Sequence, residues 1–283
     1  MAVLHLEKWK LSIGEGQPLV CIAGLNVLED LDLALETARH LKAVTAALDM
    51  PFIFKASFDK ANRSSAQSYR GPGMASGLEM LAEVKAQLDL PICTDIHDVA
   101  QAEPVAEVAD LVQIPAFLCR QTDLVSAAAR AVQRNRGWLH VKKGQFLAPE
   151  DGRNIIEKIN EAVQTDLTIL CERGVSFGYH NLVVDMLGID QMKQLGVPVT
   201  IDATHSVQLP GANPMTNGAS AGGRREGVPI IAKAAVAAGA DGVFLEFHPR
   251  PDQALCDGPS CLPLSAAAGL LKTLKAVHEA AHG

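Results

Sequence analysis

Short apolar runs alternate with longer amphipathic stretches from one end of the chain to the other. The runs are Leu19–Ala23, Phe52–Ala56, Pro91–Thr94, Leu111–Pro115, Trp138–Val141, Leu167–Cys171, Val197–Ile201 and Gly242–Glu246. Each is short and continuously apolar, the pattern of a strand covered on both faces in a parallel sheet. The stretches between them predict helices over Leu31–Leu48, Ser76–Leu88, Val99–Val108 and Leu124–Gln133. Glu150–Val163, Leu182–Gln194, Glu226–Ala238 and Leu262–Glu279 complete the set. Eight strand–helix pairs in a chain of 283 residues predict an α/β fold closed as a (β/α)8 TIM barrel. A doubly wound open sheet is the other arrangement of such pairs, but the GxGxxG turn and the GxxxxGK[ST] loop that mark its nucleotide sites are missing. No shift in composition divides the chain, so residues 1–283 are expected to form one catalytic domain. Ahead of the first strand, Val3–Ile13 reads as a β-hairpin set against the barrel bottom.

Composition narrows the partners. With 48% hydrophobic residues the chain can bury a large core. A net charge of −7 without a long basic run argues against nucleic acid or an anionic membrane as a partner. No apolar stretch approaches the length of a membrane span, and the N-terminus lacks the charged-then-apolar order of a signal peptide. Six cysteines show no CxxC spacing, and Cys21, Cys93 and Cys171 fall in strand runs. They read as reduced, buried thiols of a cytoplasmic protein.

In a barrel, residues just past the C-terminal ends of the strands converge on the face where active sites are built. Here those positions hold Asn26; then Lys55, Ser57, Asp59, Lys60, Asn62, Arg63 and Ser64; then Asp95 and His97; and Gln113. Lys142–Lys143, Glu172–Arg173, Asp202 with His205, and Glu246 with His248 follow. Any one of these cations could pair with a neighbouring carboxylate such as Glu172 or Asp59. Lys55, Lys142 and Arg173 together point to a phosphate or carboxylate ligand, because several buried cations in one pocket are costly without anions.

The segment KASFDKANRSS at Lys55–Ser65, followed by YRGPG, strongly resembles the 3-deoxy-D-manno-octulosonate 8-phosphate synthases. TDIHD at Thr94–Asp98, QIPAFLCRQTDL at Gln113–Leu124, VKKGQF at Val141–Phe146 and CERG at Cys171–Gly174 continue the likeness in the family's order. FGYHNLVVDM at Phe177–Met186, DATHSVQ at Asp202–Gln208, GGRR at Gly222–Arg225 and CDGPSCLPL at Cys256–Leu264 complete it. The resemblance implies a (β/α)8 barrel, a homotetramer, and condensation of phosphoenolpyruvate with D-arabinose 5-phosphate in lipopolysaccharide precursor synthesis. Lys55, Ser57, Lys60, Gln113, Lys142 and Arg173 match positions that hold phosphoenolpyruvate. Asn62, Arg63, Ser64 and Asp95 match positions that hold the sugar phosphate, and Arg63 and Ser64 reach its phosphate in a site bordering a neighbouring subunit. Asn26, His205, Asp257 and Lys60 are the expected catalytic groups; a lone loop histidine reads as structural, but the place of His205 after the seventh strand, within DATH, outweighs that reading.

The family has a metal-requiring branch, whose ligands are a cysteine, a histidine, a glutamate and an aspartate. His205, Glu246 and Asp257 fill three of those positions, but the cysteine position falls at Asn26. A neutral amide is a poor ligand where a thiolate is a strong one, so no metal and no cofactor are expected. Cys256 adjoins Asp257 and is read as a packed or capping thiol. The long polar segment Ser206–Arg225 reads as a lid, with Arg224 and Arg225 either phosphate contacts or a solvated pair. The alternatives are a related condensing enzyme such as DAHP synthase, using erythrose 4-phosphate, or one acting on a hexosamine; ANRSS disfavours both. A non-catalytic sugar-phosphate sensor is disfavoured by the presence of His205 and Asp257.

Overall fold

The computed structural model describes residues 3–211 and 221–282. Two short strands, β1 (Leu4–Leu6) and β2 (Leu11–Ile13), pair antiparallel ahead of the first long strand, β3 (Val20–Val27). Then come α1 (Leu31–Ala47), β4 (Phe52–Ser57), α2 (Met74–Leu88), β5 (Ile92–Asp95) and α3 (Ala102–Val108). The alternation continues through β6 (Leu111–Ile114), α4 (Thr122–Arg134), β7 (Trp138–Lys142), α5 (Gly152–Val163) and β8 (Thr168–Glu172). A small antiparallel pair, β9 (Val175–Ser176) and β10 (Leu182–Val183), precedes α6 (Leu187–Lys193) and β11 (Val199–Asp202). A second such pair, β12 (Gln208–Leu209) and β13 (Gly222–Gly223), precedes α7 (Val228–Ala237) and β14 (Gly242–His248). Finally β15 (Leu262–Pro263) runs beside the end of β14, and α8 (Ala267–His282) closes the chain.

The eight strands β3, β4, β5, β6, β7, β8, β11 and β14 pair in parallel in that order, and β14 pairs back onto β3 to close the barrel. Strand periodicity sorts their side chains. On β4, Phe54 and Ala56 pack toward the helices, while Ile53 belongs to the cluster inside the barrel. The same inner cluster holds Val20, Ile22, Leu111, Trp138 and Ile169 with Leu4, Leu6, Leu11 and Ile13 of the hairpin. The hairpin therefore plugs the bottom of the barrel, as its alternation predicts. Each fully buried leucine or isoleucine there contributes about 1.5–3 kcal/mol. Trp9 Nε1 donates to Asp110 Oδ1 at 2.8 Å, and Lys85 reaches the same carboxylate at 2.8 Å, which ties the plug to the barrel rim.

Gly24 permits the closest strand contact near the site: a Cβ there would stand 2.0 Å from the Lys55 carbonyl oxygen. The β3–β4 register shifts between Gly24 and Val27, so the chain bulges over Leu25 and Asn26. On the helical side, the Asp30 side chain caps α1 by accepting from Leu33 N at 2.8 Å.

Two predicted helices start late. The one expected over Leu182–Gln194 begins at Leu187, because Leu182–Val183 pair with Val175–Ser176. Gly178 and His180, with φ of 72° and 53°, supply the left-handed conformations of the turn between those strands, Gly174 at φ 87° leads into it, and the run Leu182–Val184 is apolar enough to fit either period. The helix expected over Leu262–Glu279 begins at Ala267, since Leu262–Pro263 extend alongside β14. All six cysteines are free and buried. No helix among the described residues is long and apolar enough to cross a membrane. Of the expected lid, residues 212–220 lie outside the described residues.

Candidate active site

Within the barrel strands the inward positions turn from apolar to polar on approaching the C-terminal end. On β4 the inward series is Ile53, Lys55, Ser57; on β7, Trp138, His140, Lys142; and β14 places Glu246 two residues beyond Phe244. The hydrophobic plug thus ends in a buried charged layer, and above it opens a cavity of about 340 Å³. Its walls include Lys60, Asn62, Arg63, Ser64, Asp95, Gln113, Lys142, Arg173, His205 and Asp257, all expected from the sequence. His97, Gln145, Gln208 and Cys256 join them, with an apolar side made by Pro115, Ala116, Phe117 and Leu118. Arg225 pairs instead with Asp252 at 2.9 Å, and Arg224 is exposed.

Four expected residues, Asn26, Lys55, Ser57 and Glu246, lie beneath the cavity rather than on its wall. Lys55 Nζ donates to the Asn26 carbonyl at 3.2 Å, to Ser57 Oγ at 3.0 Å and to Glu246 Oε1 at 3.1 Å. Ser57 Oγ in turn donates to Asp95, whose other oxygen lies 3.0 Å from His97 Nε2. Burial and the neighbouring Lys60 push the Lys55 ammonium below its ordinary pKa, against Glu246 and Asp95. Burial alone would raise Glu246, but His205, Lys55, Lys60 and Lys142 outweigh it and hold the carboxyl at about 2. Asp95 is likewise held well below the usual range, its burial outweighed by the His97 hydrogen bond and the charges of Lys55 and Lys60.

Asp202, on β11, organises the opposite side. One of its carboxylate oxygens pairs with Lys142 and lies 2.7 Å from His205 Nδ1, while the other accepts His205 N at 2.8 Å. The bond to Nδ1 fixes the ring so that Nε2 faces Glu246 Oε2 at 3.6 Å and Asp257 Oδ2 at 4.0 Å. Burial would raise the Asp202 carboxyl, yet His205 and Lys142 hold it well below its ordinary value.

With these pairs made, two cations on the cavity wall have no ion-pair partner among the described residues. Arg173 is 6% exposed; its Nη2 donates to Gln208 Oε1 at 3.2 Å, and its Nη1 is buried with no partner. Burial pushes this guanidinium down, against Asp202, Glu172 and other groups. Lys60 has no side-chain hydrogen bond to a described residue; burial pushes its pKa down, but Glu246, Asp95 and Asp257 outweigh that and raise it. The neighbouring carboxylates that could have neutralised the cations are used elsewhere: Asp59 binds Arg70 at 2.8 Å and Glu172 lies 3.4 Å from Lys143.

On the outer part of the cavity Arg63 Nη1 meets Asp257 Oδ1 at 3.2 Å and contacts the Cys256 sulfur, while its Nε is buried without a partner among the described residues. Burial drives the Cys256 thiol well above its usual pKa, so it is a packed, protonated group, as expected. Asp257 sits at φ 48°, in the left-handed region, and accepts Gln208 Nε2 at 2.8 Å.

His205 Nε2 faces Glu246 and Asp257, yet no group of three or more His, Cys, Asp or Glu among the described residues could hold a metal ion, and the neighbouring Asn26 does not suit one. Asn26 Nδ2 donates to Glu246 Oε2 at 2.6 Å and to Asp257 Oδ2 at 3.5 Å, and Asn26 Oδ1 has no partner among the described residues. The amide presents N–H donors to the two carboxylates, and an N–H cannot ligate a cation. Gln145, Gln208 and Asp202 are the wall and support groups that the sequence reading left without a role. All three stand inside the quoted stretches VKKGQF and DATHSVQ, where a buried polar residue next to a strand end was the available signal.

The sequence matches the DAHP synthetase I family over residues 2–282. It is 51% identical over 279 residues to the 2-dehydro-3-deoxyphosphooctonate aldolase of Shewanella denitrificans, covering 99% of this chain and 94% of the relative. The proteins of the same name from Shewanella piezotolerans and Shewanella frigidimarina are each 52% identical, over 274 and 269 residues. The first match covers 97% of this chain and 94% of the relative, the second 95% and 92%.

Proposed function

This chain belongs to the DAHP synthetase I family, and we propose that within it the protein makes 3-deoxy-D-manno-octulosonate 8-phosphate and phosphate from phosphoenolpyruvate, D-arabinose 5-phosphate and water. The observation that carries this reading is the buried guanidinium of Arg173, open on one edge beside Lys142 and Lys60 in the same cavity. A buried cation without a carboxylate is costly, and a phosphate or carboxylate of the substrate offsets that cost. Arg173, Lys142, Lys60 and Gln113 hold phosphoenolpyruvate, while Lys55 and Ser57 support them from beneath. Asn62, Arg63, Ser64 and Asp95 hold the sugar phosphate on the outer side.

C3 of phosphoenolpyruvate bonds to the aldehyde carbon of the sugar, water adds at C2, and phosphate leaves by C–O cleavage. Holding both substrates in line contributes at most roughly 7–11 kcal/mol. Cations around the phosphate stabilise the leaving anion and draw charge from C2. His205, oriented by Asp202 and facing Glu246 and Asp257, takes or orients the proton of the attacking water, with Asn26 spacing the two carboxylates. The reaction proceeds without a metal; the Asn26 amide donating to Glu246 at 2.6 Å supports this. One catalytic domain, working in the cytoplasm as a homotetramer that supplies lipopolysaccharide precursor, completes the proposal.

Phosphate release by purified, chelator-treated protein, with and without arabinose 5-phosphate, tests both parts. Release that needs the sugar and survives the chelator is expected. Release only with erythrose 4-phosphate would refute the substrate, and release abolished by the chelator and restored by metal would refute the role of Asn26.

A further inference from the structure

Phe244 stands two residues before Glu246 on β14 and is fully buried beneath the cavity. Two ammonium groups lie over its ring: Lys142 Nζ at 3.7 Å from the centroid and Lys55 Nζ at 5.2 Å. Both are within the roughly 6 Å over which a ring quadrupole attracts a cation. The imidazoles of His140 and His205 flank the same ring, with centroids at 6.1 and 6.0 Å. The inner cluster to which Phe244 belongs is otherwise mostly aliphatic, with Ile22, Ile53 and Ile169 at comparable depth on other strands. An aromatic ring is thus placed where the buried charges are, not where packing alone asks for it.

A buried ammonium must be compensated. Among the described residues Lys142 pairs with one carboxylate, Asp202, and shares it with His205. A second carboxylate would hold Lys142 equally well, but it would cancel the positive charge that the cavity offers an anion. The face of a phenyl ring stabilises a cation through its quadrupole and adds no net charge.

The geometry points to Phe244 as a positioning residue of the phosphoenolpyruvate site, its ring seating the Lys142 ammonium on the cavity wall without adding a second negative charge beside Asp202, while Lys55 rests on the same ring from beneath. This inference rests on the proposed function for the identity of the anion. The ring's contribution is electrostatic, so it separates from packing: fluorine withdraws density from the ring face and barely changes its shape.

The test replaces Phe244 in the full chain with mono-, di- and trifluorophenylalanine and measures Kd for phosphoenolpyruvate and for inorganic phosphate by titration calorimetry. Affinity for both is expected to fall stepwise, log-linearly with the number of fluorines, by roughly tenfold or more across the series. KM for arabinose 5-phosphate stays constant. The same series at Phe247, buried among residues packed toward the helices, leaves both affinities unchanged. A flat series at Phe244, or a loss that Phe247 reproduces, overturns the proposal. Stepwise loss of phosphate affinity in a protein that does not bind phosphoenolpyruvate would support the seat and refute the substrate. A wild-type protein that binds neither anion would refute both.

Discussion

Replacing Arg173 with Met separates what the guanidinium does for the substrate from what it does to the fold. The side chain is 6% exposed, one edge is held by Gln208 at 3.2 Å, and Nη1 has no partner among the described residues. Two charge-assisted hydrogen bonds from the open edge to a substrate oxyanion are worth about 1.5–3 kcal/mol each. Taking about 3–5 kcal/mol for the pair gives a rise in KM for phosphoenolpyruvate of roughly 150- to 5,000-fold. The free protein responds in the opposite direction. Methionine of similar length fills the space without an uncompensated charge, so Tm rises by about 2 °C for each kcal/mol of desolvation relieved. Steady-state phosphate release at saturating arabinose 5-phosphate measures the first effect. Thermal unfolding with and without phosphoenolpyruvate measures the second: at 100 times Kd the ligand stabilises wild type by about 2.7 kcal/mol, and at that concentration it leaves the variant's Tm unmoved. Arg173→Lys, which keeps the charge but not the planar fork, falls between the two. An unchanged KM in Arg173→Met would refute the anion seat, and a lower Tm in the free variant would show that the guanidinium is a structural tie.

Asn26→Cys removes the amide donor between Glu246 and Asp257 and supplies a thiolate, so the metal-free variant unfolds at lower temperature and Zn²⁺ restores it with about one bound equivalent; metal content equal to wild type after identical loading would sink the alignment of this site. His140 is fully buried, lies 2.8 Å from Thr200 Oγ1, and is held at about 3 by burial and the nearby Lys142. Its folded pKa lies below the unfolded value of about 6.5, so the unfolded chain takes up the proton first. Its contribution to stability is complete above that pH and declines as pH falls toward 3, by about 2 kcal/mol at pH 5. Urea unfolding at pH 7 and pH 5 is expected to show that loss in wild type and a smaller one in His140→Gln; equal losses would show that another group governs the slope.

What the sequence determined by itself is whatever local periodicity can encode. The barrel strands lie within or beside the apolar runs, and Val3–Ile13 alternates as the plug it forms. The residues past the strand ends also converge as expected, because closing a parallel barrel forces them to one face. Periodicity failed at Leu182–Val183, where an apolar run fits a strand and a helix equally and the left-handed turn at Gly178 and His180 decided for a hairpin. The pairing of charges was the larger gap. Neighbours in sequence suggested Asp59 and Glu172 as partners for the cations, yet Lys55 pairs with Glu246 across 191 positions and Lys142 with Asp202 across 60. The first pair exists only because β14 closes against β3, the neighbour of β4, and the second because β8 alone separates β7 from β11. Residue types and spacing place a charge at a strand end; only the strand order of the folded barrel brings sequence-distant ends within Coulombic reach and leaves Arg173 and Lys60, on the cavity wall, without an ion-pair partner among the described residues.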